Sequence, residues 1–264
     1  MTTLTDEAAA VLDLSLSPEQ EAQFDQYARE LAVWNEHTNL TAISDPDGVR
    51  LRHFLDSLTV IKAVPMTPGL RVIDVGTGAG FPGLPLKMIC PDIQLTLLEA
   101  TGKKTAFLQH LIDLFRLDNV TNVNARAEDA AHDSAHRAAY DVVLARAVAR
   151  LPALLEYLLP FAKVGGLCVA MKGRTAQDEA ADSTQALATL GGRLKGIETI
   201  QLPGVEDPHH LVIIEKVAPT PREYPRKPGI PTRKPLYRCR LPICLQKQQT
   251  DIRSQNFKMC TEIR

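Results

Sequence analysis

Residues Val72 to Pro85 read V-I-D-V-G-T-G-A-G-F-P-G-L-P. A short apolar strand runs into Asp74, then into four glycines within eight positions, and then toward a helix. Glycine has no Cβ and tolerates φ > 0. Gly76, Gly78, Gly80 and Gly83 therefore allow a sharp turn and a close approach of backbone to ligand. A glycine-rich turn between a strand and a helix is where open α/β sheets hold nucleotide-like ligands.

Outward from this loop, strands and helices alternate. Strands are predicted over Arg71–Val75, Leu95–Glu99, Val120–Asn124, Asp141–Ala145, Leu167–Lys172, Leu194–Gln201 and His210–Val217. Helices are predicted over Leu84–Ile89, Lys103–Phe115, Leu151–Phe161 and Ala176–Leu190. Runs such as V-I-D-V and V-V-L-A suit strands buried on both faces. The alternation implies an α/β fold with a seven-stranded, mostly parallel, doubly wound sheet. The last two strands are joined by a short link and should form an antiparallel hairpin. Upstream, Ser17-Pro18-Glu19-Gln20 reads as a capped helix start, and Phe24, Tyr27, Ala28, Leu31 and Trp34 recur at helical spacing. A second helix is expected over Val49–Val64. The organisation read from the chain is an N-terminal helical cap over residues 1–66, a ligand-binding domain over 67–217, and a basic, proline-rich tail over 218–264. Seven prolines fall between Pro219 and Pro242, so the tail is expected to be extended or disordered.

Composition narrows the function classes. The 264 residues are 45% hydrophobic and 23% charged, ordinary for a globular protein with a sizeable core. No apolar run reaches membrane-spanning length, and Met1–Ala10 is polar and acidic, unlike a secretory signal. A cytoplasmic, membrane-free protein is expected, and a monomer. Residues 222–264 carry 11 Lys and Arg against 3 Asp and Glu. The remaining 19 basic and 28 acidic groups leave residues 1–221 at −9. A basic arm on an acidic body suits a polyanionic partner, and also a solvated tail. Cys90 and Cys168 sit in apolar stretches and read as small core residues. Cys239, Cys244 and Cys260 match no zinc spacing, so neither a metal nor a disulfide framework is assigned.

The glycine loop contains G-x-G-x-x-G, the dinucleotide fingerprint, but two features argue against a phosphate. Pro82 offers no N–H, and Asp74 puts a carboxylate beside the loop. A cationic nucleoside fits better: S-adenosylmethionine carries a sulfonium and an ammonium and no phosphate. Glu99, ending the next strand, is placed to accept from ribose hydroxyls. Ala127-Glu128, after the third strand, could frame adenine. Any one of these acids could merely cap a helix or loop. Three at successive strand ends, on the rim where such sheets bind ligands, favour a site.

The string Asp74–Leu86 resembles the loop of the small-subunit ribosomal RNA methyltransferase G family, formerly glucose-inhibited division protein B. Further agreement lies in Trp34–Thr41 (W-N-E-H-T-N-L-T), Arg52–Ser57 (R-H-F-L-D-S), Ala145-Arg146-Ala147 and Met171-Lys172-Gly173. The resemblance runs from about Leu16 to Val217. It implies a class I, Rossmann-like methyltransferase fold with an N-terminal helical subdomain. It also implies methyl transfer from S-adenosylmethionine to N7 of one guanine in 16S rRNA, free or in the small ribosomal subunit. Carried over position by position, Gly76, Phe81, Ala127, Glu128 and Arg146 match cofactor-contacting residues. General fold logic adds Asp74, Gly78 and Glu99.

Arg146 ends the fourth strand, where it could bind guanine O6, a phosphate or the cofactor side. A structural ion pair is the competing role. Lys172 ends the fifth strand and could meet an RNA phosphate, or serve as a plain strand-end lysine. Both would position substrate rather than exchange protons. Asn39, Arg52, His53, Asp56 and Ser57 form an N-terminal cluster read as ordering the cap over the pocket, with RNA contact second. Trp34 is read as core, and His209-His210 as structural. Phosphate contacts could come from Lys103, Lys104 and Arg174, and from Arg222, Arg226, Lys227, Arg233 and Lys234 in the tail. Beyond Leu236 the resemblance stops, leaving a non-family extension or a basic RNA-binding arm. Two other classes remain open at this stage: a nicotinamide-dependent (NAD(P)) oxidoreductase, and a non-catalytic RNA-binding module on the same fold.

Overall fold

The computed structural model describes residues 2–237. The three tail cysteines and the extension after Tyr237 lie outside them. The chain opens with α1 (Leu4–Leu12), capped by a Thr3–Asp6 box, and α2 (Pro18–Thr38), capped by Ser17 and Gln20 and closed by Asn39 in the left-handed conformation. A helical run over residues 46–62, α3, follows. Its centre, Val49–Leu55, is wound as a π-helix and its last turn as a 3₁₀ helix. Then come β1 (Arg71–Val75), α4 (Gly83–Ile89), β2 (Gln94–Glu99), α5 (Gly102–Leu114), β3 (Val120–Asn124) and the single turn α6 (Ala127–Ala130). The second half contains β4 (Tyr140–Arg146), α7 (Leu151–Leu158), β5 (Ala162–Lys172), α8 (Ala176–Asp182), α9 (Thr184–Leu190), β6 (Gly192–Ile200), β7 (His209–Lys216) and the short α10 (Ile230–Arg233).

The seven strands form one sheet in the order β3-β2-β1-β4-β5-β7-β6. β1 to β5 are parallel; β7 runs antiparallel to both β5 and β6. The chain reverses its direction of strand addition between β1 and β4, so a crevice opens beyond the carboxyl ends of these two strands. Alternate residues feed two cores. Val72, Leu97, Val142 and Leu144 pack with α1, α2, α3 and α4. Ile73, Val75, Val143 and Ala145 pack with α7, α8 and α9. Asp74 shares its parity with Val72 and therefore points to the face covered by the N-terminal helices.

Several elements differ from their sequence expectation; β5 begins at Ala162 rather than Leu167, and α6 and α10 were not expected. α1 falls where none was read; its signal is T-x-x-D ahead of an alanine-rich run. It is held by Glu7, which accepts Arg50 Nε at 2.9 Å and Nη2 at 3.0 Å. The helix expected over Ala176–Leu190 is two helices. At the break, the Ser183 hydroxyl donates to the Glu179 carbonyl at 2.6 Å, competing with the helical ladder. α7 stops at Leu158 because Pro160 has no N–H to continue the helical ladder.

Residues 218–237 are irregular, as the prolines imply, but they are packed against the body rather than free. Tyr224 and Leu236 join the second core, and Pro225 and Pro231 are buried. The body supplies buried acceptors and donors that composition does not reveal.

Candidate functional site

The glycine turn between β1 and α4 is held by carboxylates. Asp74 is fully buried. Its Oδ2 accepts the Thr77 hydroxyl at 2.6 Å and the Gly83 amide at 2.8 Å, while Oδ1 has no partner. Burial pushes its carboxyl up to about 6. Glu99 accepts the Gly78 amide at 3.0 Å and the Thr101 amide at 2.8 Å. The amides that would cradle a pyrophosphate are thus bonded to two carboxylates, which removes the geometric basis for a dinucleotide. Gly76, at φ +69°, faces Val148; a Cβ there would lie 2.8 Å from Val148 Cγ2. Gly80, at φ +98°, passes so close to Tyr27 and Leu84 that no Cβ fits.

Two clefts flank this turn. The first, of about 210 Å³, is lined by Gly76, Glu99, Arg126, Ala127, Glu128, Val148, Tyr157 and Thr232 among others. Four residues singled out from sequence (Gly76, Glu99, Ala127 and Glu128) meet there. It is a slot between the ends of β1, β2 and β4 and the start of α6, with the carboxylates of Glu99 and Glu128 in its lining.

The second cleft, of about 450 Å³, lies across the end of β4 and is lined by Arg52, His53, Asp56, Arg146, Lys172, Glu179 and His209 among others. Arg146 organises one wall. Its Nη1 donates to the Arg52 carbonyl at 2.8 Å and to Asp56 Oδ2 at 3.2 Å, and its Nη2 meets His53 Nδ1 at 3.2 Å. Its guanidinium lies over the Phe81 ring, 5.0 Å from the centroid. Nδ1 of His53 lies 3.2 Å from two groups of opposite character, the donating Arg146 guanidinium and the accepting Arg52 carbonyl, and Nε2 meets the Thr41 hydroxyl at 2.7 Å. Burial, reinforced by the Arg146 charge, depresses the His53 pKa to about 4 and keeps the ring neutral. Asp56, nearly buried, accepts His209 Nδ1 on its other oxygen at 2.7 Å. That bond to Asp56 raises the His209 pKa. After Arg146 the chain turns through Ala147 at φ +56°, a left-handed conformation that costs a non-glycine residue on the order of 1 kcal/mol.

The remaining predicted residues fall elsewhere. Phe81 lines neither cleft; it stacks between Tyr27, 5.3 Å away, and His53, 4.6 Å away, and forms the floor beneath Arg146. Asp74 and Gly78 underlie the turn instead of facing the slot. Asn39 is an exposed helix cap, and the Ser57 hydroxyl is spent on the His53 carbonyl at 2.5 Å. Lys172 reaches the second cleft but is paired with Glu179 at 2.7 Å and with the Ala149 carbonyl at 2.6 Å. That pair fixes the β4–α7 connection, because Glu179 also accepts the Leu151 amide at 2.7 Å. Trp34 packs on Phe107, as a core residue. Sequence reading passed over Val148, Tyr157 and Thr232, and read His209 as structural without its partner Asp56. Among the described residues no group of three His, Cys, Asp or Glu could hold a metal, and no helix is long and apolar enough to cross a membrane.

The family model described as rRNA small subunit methyltransferase G matches residues 20–209. A protein named ribosomal RNA small subunit methyltransferase G from Roseiflexus castenholzii is 49% identical over 84% of this chain and 94% of its own length. One of the same name from Chloroflexus aggregans is 46% identical over 87% and 96%. Among solved structures, a chain of the Haloferax volcanii complex containing the Trm112 methyltransferase activator superposes with a TM-score of 0.54 at 14% identity. That match covers 72% of this chain and 98% of the other, a likeness of fold.

Proposed function

Starting from the fact that this chain belongs to the rRNA small subunit methyltransferase G family, we propose that it methylates N7 of one guanine in 16S rRNA, with S-adenosylmethionine as donor. The observation that carries the cofactor reading is the buried Asp74, an ionisable carboxyl with one unpartnered oxygen at the foot of the glycine turn. A buried anion without a counter-charge is costly, and a cationic ligand offsets that cost where a phosphate would add to it. Gly76, Glu99, Ala127 and Glu128 would hold the adenosine, with Asp74 supplying the negative field for the amino-acid end.

When bound, S-adenosylmethionine supplies an electrophilic methyl group on a sulfonium. The chain's own task is then positioning. Guanine N7 carries a free lone pair, so no general base is needed. Neutral His53, bonded between Arg146 and Thr41, serves as scaffold. Three bonds engage Arg146, and a guanidinium has five N–H donors. Two donors remain to bind guanine O6 beside N7, or the neighbouring phosphate. Fixing that edge in line with the methyl donor supplies the rate enhancement through orientation. The guanine must be unpaired or extruded to enter the cleft. Exposed Arg52 adds positive charge at the cleft, as phosphate binding requires, while Arg174 is paired with Asp207 at 3.5 Å.

The test is to incubate the protein with methyl-labelled S-adenosylmethionine and either free 16S rRNA or small ribosomal subunits. Labelled N7-methylguanine is then mapped by reduction and aniline cleavage. A single N7-methylguanine is expected. Label on a ribose, on another base atom, or on none would refute the reading.

A further inference from the structure

One wall of the nucleoside slot comes from a segment beyond residues 20–209, the stretch that the family model matches. After β7 the chain crosses back over α6 and α7. Arg137 donates to the carbonyls of Thr220, Pro221 and Tyr224 at 2.9 to 3.0 Å, and His132 Nε2 meets the Pro225 carbonyl at 2.8 Å. Glu156 is the one acid in the apolar α7 sequence L-P-A-L-L-E-Y-L and is wholly buried. It receives Arg226 three ways: from the backbone amide at 2.7 Å, from Nε at 2.9 Å and from Nη2 at 2.6 Å. Arg226 Nη2 also holds the Lys234 carbonyl at 2.9 Å, which closes residues 226–234 into a pinned turn.

Such a pair could serve only to anchor the chain end. Two contacts give it a second use. The Gly229 amide donates to Glu128 Oε1 at 3.1 Å, and Thr232 lines the slot opposite Gly76. Gly229 adopts φ +78°, the left-handed conformation that aims its N–H at the slot. Glu128 therefore has one oxygen held by the turn and the other left for a ligand.

We propose that residues 226–232 form a working wall of the cofactor site. Gly229 sets the orientation of Glu128, Thr232 bounds the slot beside Tyr157, and Arg226, tied to Glu156, acts as the positioning residue. This rests on the S-adenosylmethionine reading above.

The test is calorimetric titration of S-adenosylhomocysteine into the full chain, comparing wild type with Gly76→Val, Thr232→Trp and Arg226→Gln. Folding is checked by circular dichroism. Thr232 is exposed, so its replacement leaves the core intact. The Thr232→Trp and Arg226→Gln variants are expected to bind about tenfold more weakly or worse, with the fold retained. Bound ligand should also slow tryptic cleavage of the wild type after Arg233. Wild-type affinity in both wall variants, with loss confined to Gly76→Val, would overturn the wall while leaving the cofactor site standing. No binding by wild type would overturn both. Should Arg226→Gln fail to fold, Thr232→Trp decides alone.

Discussion

Replacing Asp74 with asparagine should separate what the loop needs for folding from what it needs for its ligand. The carboxyl moves from an ordinary 3.8 to about 6 because it is wholly buried. At 1.36 kcal/mol per unit, holding it ionised above that pH costs the folded state about 3 kcal/mol. The folded pKa of this acid lies above the unfolded one. Between pH 3.8 and 6 the folded state therefore binds more protons, and stability falls as pH rises through that window. Asparagine keeps an acceptor for Thr77 and Gly83 and carries no charge. Its amide hydrogens replace the unpartnered oxygen, at a cost of about 1–3 kcal/mol at any pH. Asp74→Asn should thus be the less stable protein at pH 4, and should gain about 3 kcal/mol relative to wild type by pH 7. Urea unfolding followed by circular dichroism across that range reads the difference directly. S-adenosylmethionine binding should weaken at least tenfold, because the counter-charge is gone. A stability difference that does not change with pH would refute the buried-carboxylate argument. Undiminished affinity would refute its role toward a cationic ligand.

Other substitutions probe the same geometry. Gly76→Ala must hold φ +69° against Val148 and should cost about 1–3 kcal/mol in thermal unfolding, with weaker S-adenosylhomocysteine binding. Asp56→Asn releases Arg146 and should lower kcat/KM for rRNA about 10–100-fold while cofactor affinity holds, as separate titrations would show. The raised pKa of His209 makes its bond to Asp56 contribute fully below about 6.5 and fade as pH rises through the folded-state value. The stability gap between wild type and Asp56→Asn should therefore narrow at alkaline pH. His53 has the opposite sign: its pKa is depressed to about 4, so its neutral-ring stability is lost as pH falls from about 6.5. That loss amounts to about 3 kcal/mol, and the slope should vanish in His53→Gln denaturation curves. Lys172→Met strands the buried Glu179 and should destabilise by about 3 kcal/mol, measured by thermal unfolding, with a smaller effect on rRNA affinity.

Much of the architecture was legible in contiguous strings. β1 and β3 fall where the apolar runs place them, and the short link before His209 foretold the β6–β7 hairpin. Period-two and period-3.6 patterns are local consequences of burying one face, so a local reading recovers them. The meeting of Gly76, Glu99 and Glu128 in one cleft follows for the same reason: each sits at the end of a strand or the start of a turn, and strand ends of a parallel sheet converge on one rim. Arg146 was placed correctly at that rim, but its partners were not.

What the tertiary structure alone decided are pairings between distant groups. His209 meets Asp56 across 153 residues, Arg226 meets Glu156 across 70, and Gly229 meets Glu128 across 101. Lys172, expected at an RNA phosphate or as a plain strand-end lysine, is paired with Glu179. Residues 218–237, expected as part of an extended or disordered tail, are pinned by Glu156 and Glu128. An ion pair has little worth in water and much consequence once desolvated, and desolvation is set by what else the fold brings to the spot. Side-chain chemistry is written along the chain, whereas the environment that turns a charge into an anchor, a scaffold or a ligand contact exists only after the sheet and its helices have closed around it.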